Sequence, residues 1–411
     1  MVSEFPYEHL RRFPDVEAEN LQAHDATDRL LVERALALVA ERELTGADIV
    51  VIGDDYGAIT LPLVRSGLTG IRVHQDLATG RRALARNARA LAGESEAAAS
   101  VPAIPDGASY IPSELDAGLL DGARLVLLQL PKALTELGEI ADAVARWASS
   151  DVVLVAGGRV KHMTLSQNEV LGRSFAVVQP QLAARKSRLI VASGPRAVAP
   201  EPPFPVFETH DGLTLAAHGG AFAGARLDIG TRVLLEVLAD RRSQLLQIGP
   251  GGGGSGAVAR DSAGVANTRT VVDLGCGTGA LAASWALAHP QDRVIATDRS
   301  AAAVASARAT MVANDLSDRV EVMHDDAGSE LADASVDVVL LNPPFHLGTS
   351  VHTAAATRLF GAAARLLRPG GELWTVYNST LSYRGELTRL IGATEQVRRT
   401  PKFTVTRSIR S

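Results

Sequence analysis

Short apolar runs alternate along the chain with stretches whose apolar residues recur at helical spacing, which predicts parallel strands joined by crossover helices. In the first half, residues 27–42 put Leu30, Leu31, Ala35 and Leu38 on one helical face. Strands are predicted at 48–52, 70–74, 123–130 and 152–156, with a helical segment from Ile59 and a basic helix over 81–91. Four prolines, Pro200, Pro202, Pro203 and Pro205, then break the pattern and predict domains over 1–200 and 204–411. Beyond them, 207–217 reads as a hairpin and Asp228 as the cap of a helix reaching Leu238. The glycine run at 249–256 cannot bury a core, so a flexible insertion is expected at about 240–268.

The second half repeats the first. Strands are predicted at 271–274, 293–297, 320–323, 336–341, 371–377 and 403–406, and helices at 280–288, 300–314, 353–367 and 384–391. Both halves run strand, glycine-ended turn, helix, and a strand ending in an acid, Asp76 in one and Asp298 in the other. Each then has a buried strand closed by a proline-containing tetrapeptide, Gln129-Leu130-Pro131-Lys132 against Asn342-Pro343-Pro344-Phe345. A duplicated α/β domain follows, with ligand chemistry kept only in the second copy. Two unrelated doubly wound domains are the alternative.

Composition narrows the class. Apolar residues make up 46% and charged residues 21%, as in a soluble globular protein, and the net charge of −5 argues against broad coating of nucleic acid. Local basic sites remain open: Arg81, Arg82, Arg86 and Arg89; Arg159, Lys161 and His162; and, near the end, Arg398, Arg399, Lys402, Arg407 and Arg410. A lone cysteine, Cys276, excludes an internal disulfide and fits a reducing compartment. Residues 1–13 lack the apolar centre of a signal peptide and no apolar run is long enough to span a bilayer, so a cytoplasmic monomer without membrane contact is expected. His346 and His352 have no partners at ligand spacing, so no metal is expected.

The candidate chemistry gathers at strand ends. A turn spelled Asp273-x-Gly275-x-Gly277-x-Gly279 brings backbone N–H groups at a helix start close to a ligand, and an acid about 20 residues on, Asp298, is placed for ribose hydroxyls. Alone, such a turn suits NAD equally well. Asp326 after the third strand, where it can accept from an adenine amine, and the tetrapeptide after the fourth together favour S-adenosylmethionine. Two successive prolines make a rigid turn whose Asn342 side chain and Pro343 carbonyl are acceptors, with Phe345 beside them to stack on a planar group carrying N–H.

Residues 270–377 resemble a class I S-adenosylmethionine-dependent methyltransferase, and Asn342-Pro343-Pro344-Phe345 is similar to the motif of enzymes that methylate exocyclic or amide nitrogens. Phe222, Leu227-Asp228-Ile229-Gly230-Thr231, His346, Asn378, Leu381, Tyr383, Lys402 and Phe403 further resemble the two-domain ribosomal RNA guanine-N2 methyltransferases. Ala223-Gly224 stands where a Ser-Arg pair usually follows the phenylalanine. The resemblance implies two tandem Rossmann-like domains, the N-terminal one degenerate. That copy has Asp55 where the second has Gly277, and its tetrapeptide lacks the Asn and the aromatic ring, so it is expected to bind no cofactor and instead to help hold RNA. It implies methyl transfer to a guanine N2 in ribosomal RNA or a ribosomal subunit, with Asn342, Pro343 and Phe345 as catalytic residues. Asp273, Gly275, Gly277, Gly279, Asp298, Asp326 and Asn342 are expected at the cofactor, and Phe345, His346, Asn378, Tyr383 and Lys402 at the substrate. Methylation of an adenine N6 or a protein glutamine amide, or a non-catalytic RNA-binding role, are the rival readings.

Overall fold

A computed structural model describes residues 5–93, 109–247, 268–344 and 350–411. The chain divides into two compact units, Met1–Phe204 and Pro205–Ser411.

The first unit begins with helix α1 (Ala26–Arg42) and strand β1 (Ile49–Ile52), followed by α2 (Thr60–Arg65), β2 (Ile71–His74), α3 (Ala78–Ala92) and β3 (Tyr110–Pro112). Next come α4 (Ala117–Leu120), β4 (Leu125–Gln129), α5 (Leu134–Trp147), β5 (Val153–Arg159), α6 (Leu165–Ser174), β6 (Phe175–Pro180) and β7 (Ser187–Pro195). The strands form one sheet in the order β3-β2-β1-β4-β5-β7-β6, parallel except for β7 and its antiparallel partners. Central β1 is buried at every residue, and its side chains alternate between two cores. Ile49 and Val51 join α1–α3 on one face, while Val50 and Ile52 join α4–α6 on the other.

The second unit opens with a hairpin, β8 (Val206–His210) and β9 (Leu213–Ala217), and then α7 (Ile229–Gln247), β10 (Thr270–Leu274), α8 (Ala280–Ala288), β11 (Arg293–Asp298), α9 (Ala301–Ala313) and β12 (Val320–His324). It continues with β13 (Val336–Leu341), α10 (Ser350–Leu366), β14 (Leu367–Asn378), α11 (Arg384–Leu390), β15 (Thr394–Arg399) and β16 (Phe403–Ile409). Its sheet order, β12-β11-β10-β13-β14-β16-β15, reproduces that of the first unit strand for strand. Again one face is packed by the first three helices, through residues such as Leu234, Leu281 and Met311, and the other by Phe360, Leu366 and Leu387 of α10 and α11.

The hairpin pairs only with itself, and the far edge of β9 meets a helix instead of a strand. Asn314 Oδ1, Thr310 Oγ1 and Ser306 Oγ, spaced one helical turn apart along α9, accept from the N–H groups of Thr214, Ala216 and His218 at 3.0, 2.9 and 2.9 Å. This satisfies an edge that would otherwise be open to another chain.

One expectation about the elements needs correction. α7 runs on to Gln247, so residues 240–247 are helical rather than the start of a flexible insertion. The Asp-Arg-Arg-Ser-Gln-Leu-Leu-Gln sequence there is mostly good helix formers. The glycine run at 249–256 lies outside the described residues. Strands β3, β6, β7 and β15 and helices α4, α5 and α6 were not predicted; β15 is polar and largely exposed, so it carries no two-residue burial signal.

Candidate active site

In the second unit the strand order reverses between β10 and β13, and ligands of open α/β sheets bind at such a switch point, beyond the carboxyl ends of the strands. The parallel registers Val271↔Val338 and Thr297↔Leu274 bring three tips level: Asp298 after β11, the glycine turn after β10, and Asn342 after β13.

The turn is held from below and open in front. Gly275 donates its N–H to Thr297 O at 2.8 Å, and Gly279 donates to Cys276 O at 2.8 Å. Gly275, Gly277 and Gly279 have φ of 80°, 54° and 79°, a region side chains resist. They do different work. A Cβ on Gly279 would meet Met311 Cε at 2.8 Å, so that glycine lets α8 pack on α9. A Cβ on Gly275 or Gly277 would meet nothing within 4 Å, which leaves that face accessible to a ligand. Asp298 Oδ2 accepts the Gly277 N–H at 3.0 Å and its Oδ1 accepts from Ser300 at 2.9 Å, so the acid is fixed against the turn.

Asp273, expected at the cofactor, leads the turn from the end of β10. It is buried, and its Oδ2 accepts the Ala282 N–H at 3.0 Å, tying β10 to the first turn of α8. Burial pushes its carboxyl up to about 7. Asp326 is also buried, and one of its oxygens is taken by the Arg358 guanidinium of α10.

Asn342 is the best-defined member. Its Nδ2 donates to Asp228 Oδ2 and to Thr231 Oγ1, both at 2.9 Å, at the start of α7. Its Oδ1 is buried and has no hydrogen-bond partner among the described residues. A buried acceptor left unsatisfied costs about 1–3 kcal/mol and calls for an explanation. Pro343 is buried and Pro344 exposed; Phe345 and His346 lie outside the described residues.

Of the other predicted substrate residues, Asn378 closes β14 and its Oδ1 accepts from Thr380 N and Oγ1 at 3.0 and 2.8 Å, a local turn bond. Lys402 is exposed beside it, its carbonyl accepting from Ser379 N at 2.9 Å. Tyr383 is not a surface residue: it is 7% exposed, with its ring edge-on to Phe360 and Tyr377 at 5.1 and 5.4 Å. The structure places it in the core, because α11 must cover the hydrophobic face of β14. Sequence reasoning placed Asp228 and Thr231 in a family-like segment and read Asp228 as a helix cap, but missed both as neighbours of Asn342; Asp228 is a cap, accepting Thr231 N at 3.1 Å. Phe222 is exposed in a turn where Ala223 and Gly224 both have positive φ, 64° and 62°.

The first unit shows what the same architecture becomes without an open turn. Gly53 donates to His74 O as Gly275 does to Thr297 O, so Asp54, Asp55 and Gly57 stand where Cys276, Gly277 and Gly279 do. By the same register the counterpart of Asp298 is Gln75, one residue before the expected Asp76, because β2 ends at His74. Gln75 Nε2 donates to Asp55 Oδ1 at 3.0 Å across the face that is open in the second unit. Buried Asp54 accepts the N–H groups of Gly57, Ile59 and Thr60 at 2.9, 3.1 and 2.7 Å. The helix start is thereby filled by the chain's own carboxylate. Gln129, the counterpart of Asn342, donates to Asp28.

Most candidate RNA contacts are already engaged. Arg81 makes a two-pronged pair with Glu114 at 2.7 Å, Arg86 lies 4.5 Å over the Phe13 ring, and Arg398 and Arg407 pair with Glu236 and Glu372. Lys161, His162, Arg399 and Lys402 are exposed.

Two sheets of identical strand order, each mostly parallel with a reversed last hairpin, make this a chain of tandem Rossmann-like methyltransferase domains. Family models agree: residues 3–196 match the RLMG N-terminal domain and residues 261–407 the methyltransferase small domain. A ribosomal RNA large subunit methyltransferase G of Streptomyces coelicolor is 33% identical over 98% of this chain and 97% of its own. Its Ectopseudomonas mendocina namesake is 33% identical over 96% of each. A solved T. thermophilus 16S rRNA N2 methyltransferase, RsmC, in complex with AdoMet and guanosine, superposes with a TM-score of 0.68 at 20% identity, covering 94% of this chain and 92% of the other. The chain belongs to the ribosomal RNA large subunit methyltransferase G family.

Proposed function

We propose that the chain transfers a methyl group from S-adenosylmethionine to the exocyclic N2 amine of a guanine in large-subunit ribosomal RNA. The observation that carries this reading is the unpartnered Oδ1 of Asn342, a buried acceptor beside an open glycine turn. The residues present suit the cofactor. The open face at Gly275 and Gly277 and the Asp298 carboxylate would hold it, and when bound it supplies an activated methyl on a sulfonium.

The chain's own part is orientation. A guanine 2-amino group is a poor nucleophile because its lone pair is delocalised into the ring. Asn342 Oδ1 and the Pro343 carbonyl accept its two N–H groups, which lets the nitrogen pyramidalise and turns its lone pair outward. Positive charge developing on that nitrogen faces two fixed dipoles. No strong base is needed, since the methylated ammonium loses its proton readily to water. The base must leave its stack to reach these acceptors, or come from an unpaired region.

The family name of the relatives points to the large subunit, and we place the enzyme with ribosomes in the cytoplasm, as a monomer. For RNA we assign Arg399 and Lys402 beside the site, and in the N-terminal domain Lys161 and His162. Val160 N donates to Lys186 O at 3.1 Å, which brings exposed Lys186 alongside them, while Arg185 is paired with Glu33 at 2.6 Å.

The test is labelled methyl transfer to unmodified large-subunit rRNA, naked and assembled, followed by nucleoside analysis. N2-methylguanosine is expected. Asn342→Ala is expected to lower turnover about 100-fold or more while S-adenosylmethionine still binds. Label in N6-methyladenosine or in protein would refute the substrate assignment.

A further inference from the structure

An asparagine amide has nearly the same shape either way round, and only one orientation presents an acceptor. We propose that Asp228, assisted by Thr231, is a positioning residue that fixes the Asn342 amide so that Oδ1, not Nδ2, faces the substrate amine. The inference rests on the role assigned to Asn342 above.

Chemistry supports it first. A carboxylate can only accept, so the Asp228 Oδ2 that lies 2.9 Å from Asn342 requires the amide nitrogen on its side. Thr231 Oγ1, buried and also 2.9 Å away, takes the second N–H. Both amide hydrogens are thus held on the α7 side, and Oδ1 is left as the unpartnered acceptor. Turning the amide over would set two acceptors against each other at Asp228 and two donors against each other at the substrate.

The first unit makes the second point. There the two tasks fall to different acids: Asp25 Oδ1 accepts Thr27 N at 2.6 Å to cap α1, while Asp28 receives the Gln129 amide. In the second unit Thr231 stands at the position of Asp28, and one oxygen, Asp228 Oδ2, both caps α7 and holds the amide. A cap alone needs no such second contact.

Asp228→Asn separates the two tasks, since asparagine caps a helix as well as aspartate. Its amide can donate to Asn342 Oδ1 and so stabilise the wrong orientation. The expected result is a fall in kcat of about 100-fold, with KM for RNA and the Kd for S-adenosylmethionine within about two-fold and Tm within about 2 °C. Thr231→Ser keeps the hydroxyl and is expected near wild type, whereas Thr231→Val lowers kcat several-fold. The decisive measurement is the double variant Asp228→Asn with Asn342→Asp. A carboxylate at the strand tip presents an acceptor whichever way it turns, and it accepts from the new amide at 228. The pair is expected to turn over at least about ten-fold faster than either single variant, a difference of about 1.4 kcal/mol in barrier. Asn342→Asp alone sets two carboxylates against each other, and Asp228→Asn alone lets the strand-tip amide turn over; the pair relieves both.

Wild-type kcat in Asp228→Asn, with Asn342→Ala inactive, overturns the positioning role and leaves the reaction intact. So does a loss in Asp228→Asn that tracks lower Tm or is not relieved in the double variant. An active Asn342→Ala overturns the reading of the site itself.

Discussion

Gly230 is the second residue of α7 and lies buried against the site, and replacing it with alanine tests the geometry with a single methyl group. The added carbon would stand 3.0 Å from Asp228 Oδ2, 3.1 Å from Phe403 Cε1 and 3.4 Å from Asn342 Oδ1. The first two contacts are too close, so the carboxylate and the ring must each move by a few tenths of an ångström. Overpacking of this kind costs about 1–3 kcal/mol, and the better helix propensity of alanine returns about 1 kcal/mol. Net destabilisation is therefore at most about 2 kcal/mol, or roughly 4–8 °C in Tm for a domain of this size. Activity should suffer more than stability. Asp228 Oδ2 is the atom that holds the Asn342 amide, and a 1 Å misplacement can cost about 100-fold, so a shift of a few tenths should lower kcat on the order of ten-fold. Single-turnover methyl transfer and differential scanning calorimetry on the same preparation separate the two effects. A folded Gly230→Ala protein with wild-type single-turnover rate would refute the reasoning.

Other perturbations test other contacts. Tyr383→Phe is expected to leave kcat and KM for RNA within about two-fold, because the ring packs in the core; a selective rise in KM would return Tyr383 to the substrate. Asp54→Ala strips the acceptor from three N–H groups and is expected to lower N-terminal domain stability by about 3 kcal/mol, measured by denaturant unfolding, with cofactor affinity unchanged. Burial pushes the Asp28 carboxyl up to about 7, above its unfolded value of about 3.9. The folded form therefore keeps a proton that the unfolded form loses, and stability contributed by this group falls as pH rises from about 4 to 7. Asp28→Asn should flatten that slope, by at most about 1.4 kcal/mol per pH unit; urea melts across the window that match wild type in slope would count against it.

Much of the architecture was legible because buried parallel strands announce themselves. Residues 336–341 and 280–288 were delimited from apolar runs and punctuation alone, and the observed bounds are the same. The polar edge strand β15 was not legible, since it spells Thr-Glu-Gln-Val-Arg-Arg and is stabilised by pairing with β16 rather than by burial. At the site, the glycine turn and the tetrapeptide stood out because each is local in sequence. The Asp228–Asn342 contact spans 114 residues and no spacing rule connects its ends. Tyr383 came from the same family motif as Asn378, and only the structure shows its ring edge-on to Phe360 just before α11.

Asp54 also bears on how the chain should respond to heat. A helix start whose donors are occupied by its own carboxylate gains nothing further from small molecules in solution, while an exposed cradle still has binding free energy to collect. Added cofactor raises the melting point only of a folding unit that takes it up. In a calorimetric scan, titrating S-adenosylmethionine should therefore shift the unfolding of the C-terminal domain and leave that of the N-terminal domain where it was.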